Sequence, residues 1–378
     1  MASSNHALLS ASSSHRWLHC PPSVRLTEHM PDRTSEFATE GSTAHLIAEI
    51  KLSRALGLEP DEPTLFDNYS EEMEDCTNGY VSFVMEIVQA LKDEGKNPLV
   101  LVEQKLDYSK FVEEGYGTGD AVIVAEGVIH IVDYKHGRGV KVDSTKNPQM
   151  MLYGLGSLEL FDGIYEIDTV RMSIYQPRLS NVSTFEMSKD DLLKWADEVL
   201  VPISKLAFKG EGQYSCGEWC TFCKAKSTCK ERAKLNTELA KMEFKEAPLL
   251  SDEEIVEVLT KVDALVSWAN DVKDYAFNEA LKGKKWSGYK LVEGRSTRKY
   301  ADEAKVAEAV EKAGFNPYDK KVIGITEMQK RLGKTKFLEL VEPLVIKPAG
   351  KPTLVPDSDK RPEYNNAIAD FMTTEVNE

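Results

Sequence analysis

Residues 119–135 read GDAVIVAEGVIHIVDYK. Two runs rich in Val and Ile flank Glu126-Gly127, the pattern of two strands joined by a two-residue hairpin turn. Such a turn pairs Ala125 with Val128. Followed outward, the same register sets Asp120 directly opposite Asp133, with Cβ atoms about 4.5–5.5 Å apart. Lys135, two residues beyond Asp133, falls on the same face. An isolated Asp-x-Lys is common on solvated hairpin ends, and the facing Asp120 is what sets this one apart. Two close carboxylates raise each other's pKa unless a cation intervenes. Hard oxygen donors at that spacing suit Mg²⁺ or Mn²⁺. A divalent ion there would activate water and polarise a phosphodiester, while Lys135 would stabilise the charge that develops.

The surrounding sequence reads as alternating helix and strand. Ser10 to Cys20 is a short capped helix stopped by Pro21-Pro22. Gly41 to Leu56 is helical, with His45 and Glu49 on one face, and Glu71 to Glu94 is a second helix. Pro98 to Tyr108 precedes the hairpin as a strand. Met150 to Phe161 returns to helix and Asp168 to Gln176 to strand. Ser188 opens a helix with a capping box at Asp191, and Ser251 caps a long amphipathic helix that Gly283 stops. Glu103, in the first strand, either lines the hairpin site or is an exposed strand carboxylate.

Taken in series, Gly41-x3-His45-x3-Glu49, Gly119-Asp120, Asp133-Tyr134-Lys135 and Gln149-x3-Tyr153 resemble the motifs of the RecB-like exonuclease branch of the PD-(D/E)XK nucleases, over roughly residues 10–232. The resemblance implies an α/β fold, with a restriction-endonuclease-like mixed sheet core flanked by helices. It implies that His45, Asp120, Asp133 and the Tyr134 carbonyl bind metal and that Lys135 assists catalysis. Gln149 and Tyr153 would orient Lys135 or the DNA strand, and Glu49 would support His45.

Four of the six cysteines crowd together as Cys216, Cys220, Cys223 and Cys229. Cys220-x2-Cys223-x5-Cys229 places three thiolates on a tight loop suited to zinc or an iron–sulfur cluster. Cys216 would complete a local Cys₄ site; Cys20, followed by Pro21, is the other candidate for fourth ligand. The resemblance favours Cys20. AddB-type and CRISPR-associated RecB-like nucleases carry one cysteine before the nuclease core and three after it, around a [4Fe–4S] cluster. Their N-terminal stretch is similar to Ser10-x-Ser12…Trp17-x2-Cys20-Pro21 here. The resemblance thus implies an iron–sulfur-stapled helical cap. Cys76 reads as an ordinary buried thiol on a helix face.

Charge limits the alternatives. The 378 residues carry 47 basic and 62 acidic side chains, a net −15, which argues against a generic duplex coat. The imbalance is uneven: Lys282 to Glu363 holds 19 basic and 12 acidic residues, so this stretch is at +7 and the remainder at −22. Within it Trp286, Tyr289, Tyr300, Phe315 and Tyr318 interleave with Lys284, Lys285, Lys290, Arg295, Arg298 and Lys299, either a single-strand stacking surface or a solvated basic face. Met328 to Leu340 reads as a helix, and Pro343, Pro348, Pro352 and Pro356 mark a Pro-rich tail. The expected organisation is a nuclease domain with the cysteine cluster at 1–240, a helical linker at 241–283 and a basic C-terminal appendage at 284–378. No apolar run is long enough for a membrane span and no secretory leader is visible, so a cytoplasmic location is expected, in the bacterial host if phage-encoded.

The expected function is a metal-dependent DNA exonuclease acting at DNA ends or on single strands in recombination, repair or phage replication. DNA is the expected partner, with a single-strand binding or annealing protein as a further candidate. The competing classes are a nonhydrolytic DNA-binding or assembly module on a nuclease fold, and a zinc-bound interaction protein resting on the cysteines alone.

Overall fold

The computed structural model describes residues 7–31, 36–60, 69–240, 251–292, 301–314, 316–318 and 322–346. It divides into two units, Met1–Val292 and Glu293–Glu378. The first opens with two short helices, α1 (Ser14–His19) and α2 (Ser23–Thr27). Pro21-Pro22 ends α1 as expected, but the chain turns at once into α2. Two long helices follow, α3 (Glu36–Ala55) and α4 (Glu71–Asp93). The Ser70 hydroxyl accepts the Met73 N–H and so satisfies one of the orphan donors at the start of α4.

Five strands come next: β1 (Leu99–Asp107), β2 (Tyr116–Ala125), β3 (Gly127–Tyr134), β4 (Ile167–Gln176) and β5 (Asn181–Ser188), adjacent in that order. All neighbours are antiparallel except β3 and β4, which run parallel. A parallel pair needs a crossover, and α5 (Pro148–Phe161) supplies it, started by the Asn147 cap and the φ-restricted Pro148. The hairpin register is the expected one, from Ala125↔Val128 to Ala121↔Val132.

Strand alternation sends side chains to two cores. Val122, Val124, Ile129 and Ile131 pack with Met150 and Leu155 of α5 and with Leu9 and Trp17 near the N-terminus. Ala121, Ile123, Val128 and Val132 pack with Ala44 and Ile47 of α3 and with Tyr80 and Val84 of α4. The architecture is a mixed α/β one, a five-stranded mixed sheet flanked by helices. Beyond β5 lie α6 (Lys189–Trp195), α7 (Val201–Lys209), α8 (Lys230–Ala240) and α9 (Asp252–Leu281). Ser188 caps α6, left-handed Gly210 follows α7, and a full Ser251–Glu254 capping box opens α9.

β5 has no counterpart in the sequence reading. Beyond buried Asn181 its side chains alternate between exposed and half-buried, yet residues 181–188 read NVSTFEMS, too polar to declare a strand without β4 beside it. In the second unit α10 (Glu303–Lys312) is likewise unanticipated, and α11 (Ile325–Leu340) is interrupted at Gly333. Of the basic–aromatic stretch, Arg295, Arg298, Lys299, Tyr300 and Phe315 lie outside the described residues, as do Pro348, Pro352 and Pro356. Trp286 belongs to the first unit: its indole N–H donates to the Ala276 carbonyl, and Lys284 lies 4.3 Å over its ring. No described helix is long and apolar enough to cross a membrane.

α5 approaches β1 closely because Gly156 faces it. A Cβ there would come 2.9 Å from Leu106 Cβ and 3.2 Å from its carbonyl carbon, and backbone cannot swing aside. Gly156→Ala is therefore expected to destabilise the protein by about 1–3 kcal/mol despite the better helix propensity of alanine, as a lower midpoint in urea unfolding would show.

Candidate functional site

The β2–β3 ladder stops at Ala121↔Val132, one step short of the two aspartates. From there Asp120 Oδ2 accepts the Tyr134 backbone N–H at 2.6 Å, so a side chain takes over where the strand pairing ends. The other oxygen, Oδ1, lies 3.4 Å from Nδ1 of His45 on α3. The His45 ring is steadied edge-on against the buried Tyr134 ring, with centroids 5.4 Å apart.

Glu103 completes this group. It lies on β1 between the pairs Val102↔Ala121 and Gln104↔Gly119, across from Asp120, and its φ is +48°. A left-handed conformation is costly for a residue with a Cβ, about 1–3 kcal/mol, and such positions cluster at functional sites. His45, Glu103 and Asp120 each offer a ligand atom, and the three atoms lie within 4.8 Å of one another. One imidazole and two carboxylates combine a borderline nitrogen with hard oxygens, a donor set that suits Mn²⁺ and admits Mg²⁺ through the carboxylates. The sequence reading left Glu103 open. The signal that would have settled it is the β1–β2 register, which a short-range pattern does not reveal.

Asp133 lies outside that trio and is 2% exposed. Lys135 Nζ sits 2.9 Å from its Oδ2 and 3.1 Å from its Oδ1. Gln149, in the first turn of α5, donates to Asp133 Oδ1 at 3.0 Å and accepts from Lys135 Nζ at 3.4 Å. One turn on, the Tyr153 hydroxyl lies 3.2 Å from Gln149 Nε2. Asp133, Lys135, Gln149 and Tyr153 are thus one hydrogen-bonded group. Glu49 bears on Glu103, whose carboxyl its negative charge helps to push up.

The charges are unevenly compensated. Burial, the largest influence, would raise the Asp120 carboxyl, but His45, Lys135 and the Tyr134 N–H together outweigh it and hold the pKa below the usual range. The His45 imidazole is raised in return: burial opposes its protonation, and the Asp120 carboxylate more than offsets burial. Burial pushes Asp133 up against the pull of Lys135. Lys135 stays protonated because Asp133 and Asp120 overcome its own desolvation. Glu103 is pushed up to about 7, first by burial and then by Asp120. Without a further cation, the site holds one carboxyl that resists ionisation near neutrality.

A separate small cavity is lined by Cys20, Cys220, Cys223 and Cys229, with Arg16 and Arg232 beside them. Cys20 caps α1, and the other three come from the loop before α8. Burial raises the Cys223 thiol, partly opposed by the Ala225 N–H and Arg16. Four thiols converging beside cationic side chains fit a thiolate-ligated cluster. Cys216 does not line this cavity; its thiol is pushed up to about 12 by burial and then by Cys220 and Cys229. Cys76 is buried in α4, in the core against α3.

A family model described as protein of unknown function (DUF2800) matches residues 6–362, and the chain belongs to that family. A solved structure titled "Crystal structure of SSO0001" shares 12% identity with this chain, covering 58% of it and 84% of the other, at a TM-score of 0.25. So slight a likeness carries no argument about fold or function.

Metal ligands must be deprotonated to bind. Glu103, pushed up to about 7, holds at pH 6 a proton it has largely lost at pH 8.5, and His45, raised by the Asp120 carboxylate, also carries a proton at pH 6. Mn²⁺ binding to protein stripped of divalent ions is therefore expected to release more protons at pH 6 than at pH 8.5, and to weaken as pH falls. Calorimetry in buffers of different ionisation enthalpy measures both quantities. Glu103→Gln should flatten the dependence.

Proposed function

We propose that the chain is a metal-dependent deoxyribonuclease that hydrolyses phosphodiester bonds at DNA ends or in single strands. The observation that carries this reading is the meeting of a His45–Glu103–Asp120 donor set with a charged Lys135 held by Asp133 and Gln149. The hairpin followed by a crossover helix and a parallel strand supports a restriction-endonuclease-like core. The basis of the alternative, a nonhydrolytic DNA-binding or assembly module, would be loss of acidic or lysine side chains, and all are present here.

His45, Glu103 and Asp120 would hold Mg²⁺ or Mn²⁺, with Asp133 and the Tyr134 carbonyl as further donors implied by the resemblance. The ion would supply Lewis-acid polarisation of a phosphoryl oxygen and acidify a water molecule. The chain's own side chains do the rest. Lys135 is protonated, so it acts as a fixed positive charge beside the oxygen that becomes negative, and it takes no proton. Asp133 and Gln149 aim that ammonium, and Tyr153 holds Gln149 in turn. Desolvation of the group strengthens each of these interactions.

We also assign the thiol cavity to a [4Fe–4S] cluster on Cys20, Cys220, Cys223 and Cys229, in preference to Zn²⁺, in a structural role. The support is that these four thiols line one cavity, which Cys216, hydrogen-bonded to Cys220 beside it, does not line.

Two experiments test these assignments. With end-labelled single- and double-stranded DNA and Mg²⁺ or Mn²⁺, Asp120→Ala, Asp133→Ala and Lys135→Ala should each lower the rate by about 10²–10³-fold or more without unfolding the protein. Hydrolysis by Asp133→Ala at the wild-type rate, or full activity in excess EDTA, would remove the metal mechanism. Protein purified without oxygen should be brown and hold about four iron atoms per chain. Cys20→Ser should lose the iron and unfold at lower temperature, while Cys216→Ser should keep both. A colourless protein with one zinc per chain would overturn the cluster.

A further inference from the structure

The segment that leaves β3 after Lys135, residues 136–142, reads HGRGVKV. Gly137, Arg138, Gly139, Val140 and Lys141 are all exposed, and Val140 is apolar at 49% exposure. Exposed glycine-rich loops ordinarily have free backbones. This one does not. Gln176, at the end of β4 and 1% exposed, donates from Nε2 to the Gly137 carbonyl at 3.0 Å and to the Val140 carbonyl at 2.8 Å. Its Oε1 accepts the Val142 N–H at 3.1 Å and the Asn181 amide at 3.2 Å. Asn181, 5% exposed, also donates to the Val142 carbonyl at 2.7 Å. All four hydrogen-bonding positions of the Gln176 amide are in use.

Two buried side-chain amides are therefore committed to fixing the backbone of a loop whose own side chains point to water. A fully satisfied buried polar network rigidifies what it holds. The fixed loop begins two residues from Lys135 and presents Arg138 and Lys141 around Val140. Arg138 is paired with Glu72, a carboxylate that Arg178 shares, and Arg138 remains 58% exposed. A side chain added at Gly137 or Gly139 would meet nothing within 4 Å, so both flanks are open to close approach by a ligand.

We propose that the Gly137–Val142 loop is a preformed rail for the phosphodiester backbone of DNA, in which Lys141 and Arg138 contact phosphates next to the reacting bond and Gln176 and Asn181 act as positioning residues. The inference rests on the nuclease reading and adds to it the residues that seat the strand. Cationic side chains on a pre-ordered backbone lose less entropy on binding than those on a mobile loop. Phosphate contacts fix register without reading sequence. The same chemistry is offered by a single strand and by a duplex end, and the test separates them.

Full-length protein is titrated into a fluorescently labelled single-stranded oligonucleotide, and separately into a blunt duplex, in Ca²⁺ over a range of salt concentrations, with anisotropy as the readout. Loss of one phosphate contact should reduce the slope of log K against log salt by about 0.7 for a single strand or 0.9 for a duplex. Lys141→Ala should show that reduction on whichever substrate the rail holds, with affinity several-fold weaker and unchanged unfolding temperature. Lys141→Arg should restore the slope. Lys92→Ala, an exposed lysine on α4, serves as the control. Asn181→Ala should lower affinity while increasing hydrogen exchange at 137–142.

A slope for Lys141→Ala equal to that of wild type and Lys92→Ala on both substrates would overturn the proposal, as would a wild-type protein that binds neither DNA. If the loop variants lose binding but the wild type cuts nothing in Mg²⁺ or Mn²⁺, the rail stands and the nuclease reading falls. If the wild type cuts and the variants bind normally, only the rail falls.

Discussion

The ends of β2 and β3 bring two carboxylates out of water at nearly the same place, and the molecule around them is arranged to make that tolerable. A buried charge without a partner costs several kcal/mol. Asp120 is matched by His45 and by the backbone N–H of Tyr134, and Asp133 by Lys135 and Gln149. The partners come from opposite faces of the sheet, His45 from α3 and Gln149 from α5. Each helix must therefore be seated to a fraction of an ångström, and the two cores do this. One packs Ala44, Ile47 and Ala48 of α3 against the hairpin, and the other packs Met150, Met151 and Leu155 of α5 on its far side. Close-packed cores transmit position because they have little free volume.

Glu103 shows where compensation stops. Its strained backbone brings a third carboxylate to His45 and Asp120, and among the described residues no ion pair neutralises it as Lys135 does Asp133. The carboxyl answers by rising to about 7 under burial and the Asp120 charge. A divalent ion would reverse that, since its charge outweighs the mutual repulsion of the acids. The thiol cavity follows a different logic. The N-terminal stretch is already tied to later segments by hydrogen bonds from Arg25 to the Phe208 carbonyl at 2.6 Å, from Ser215 to the His19 carbonyl at 2.6 Å and from Lys224 to the Met30 carbonyl at 3.1 Å. A cluster there would reinforce a closure that the polypeptide makes for itself.

Much of this geometry was legible in local patterns. The Glu126-Gly127 turn fixes the Asp120–Asp133 register, and helical spacing puts Tyr153 one turn from Gln149. What stayed hidden depends on partners distant in sequence. Glu103 acquires its meaning from a β1–β2 register set across the intervening loop and from a backbone conformation that no residue type announces. β5 is a strand because β4 offers its edge, not because Asn181–Ser188 has strong β propensity. Gln176 reads as the polar end of a strand, and only the return of the chain through Gly137, Val140 and Val142 turns it into a clamp.

The position of His45 has a further cause, an ionic knot centred on a buried arginine that ties α3 to α4. Arg178, with its side chain 8% exposed, bonds Glu40 of α3 at 3.0 Å and Glu72 of α4 at 3.1 Å, and also reaches the His136 carbonyl at 3.4 Å. His136 is buried, its Nδ1 within 2.8 Å of the Tyr134 hydroxyl, and its imidazole is held below its ordinary pKa by burial and by Arg178. Arg178 thus joins the two helices to the segment that leaves β3. Tyr134 belongs to both ends of the chain of contacts, with its hydroxyl on His136 and its ring against His45. A guanidinium suits this place because its planar fork serves several acceptors at once, which the single ammonium of a lysine does less well. His45 is consequently located by an arginine that does not touch it, through a tyrosine ring on one side and the first turns of α3 on the other.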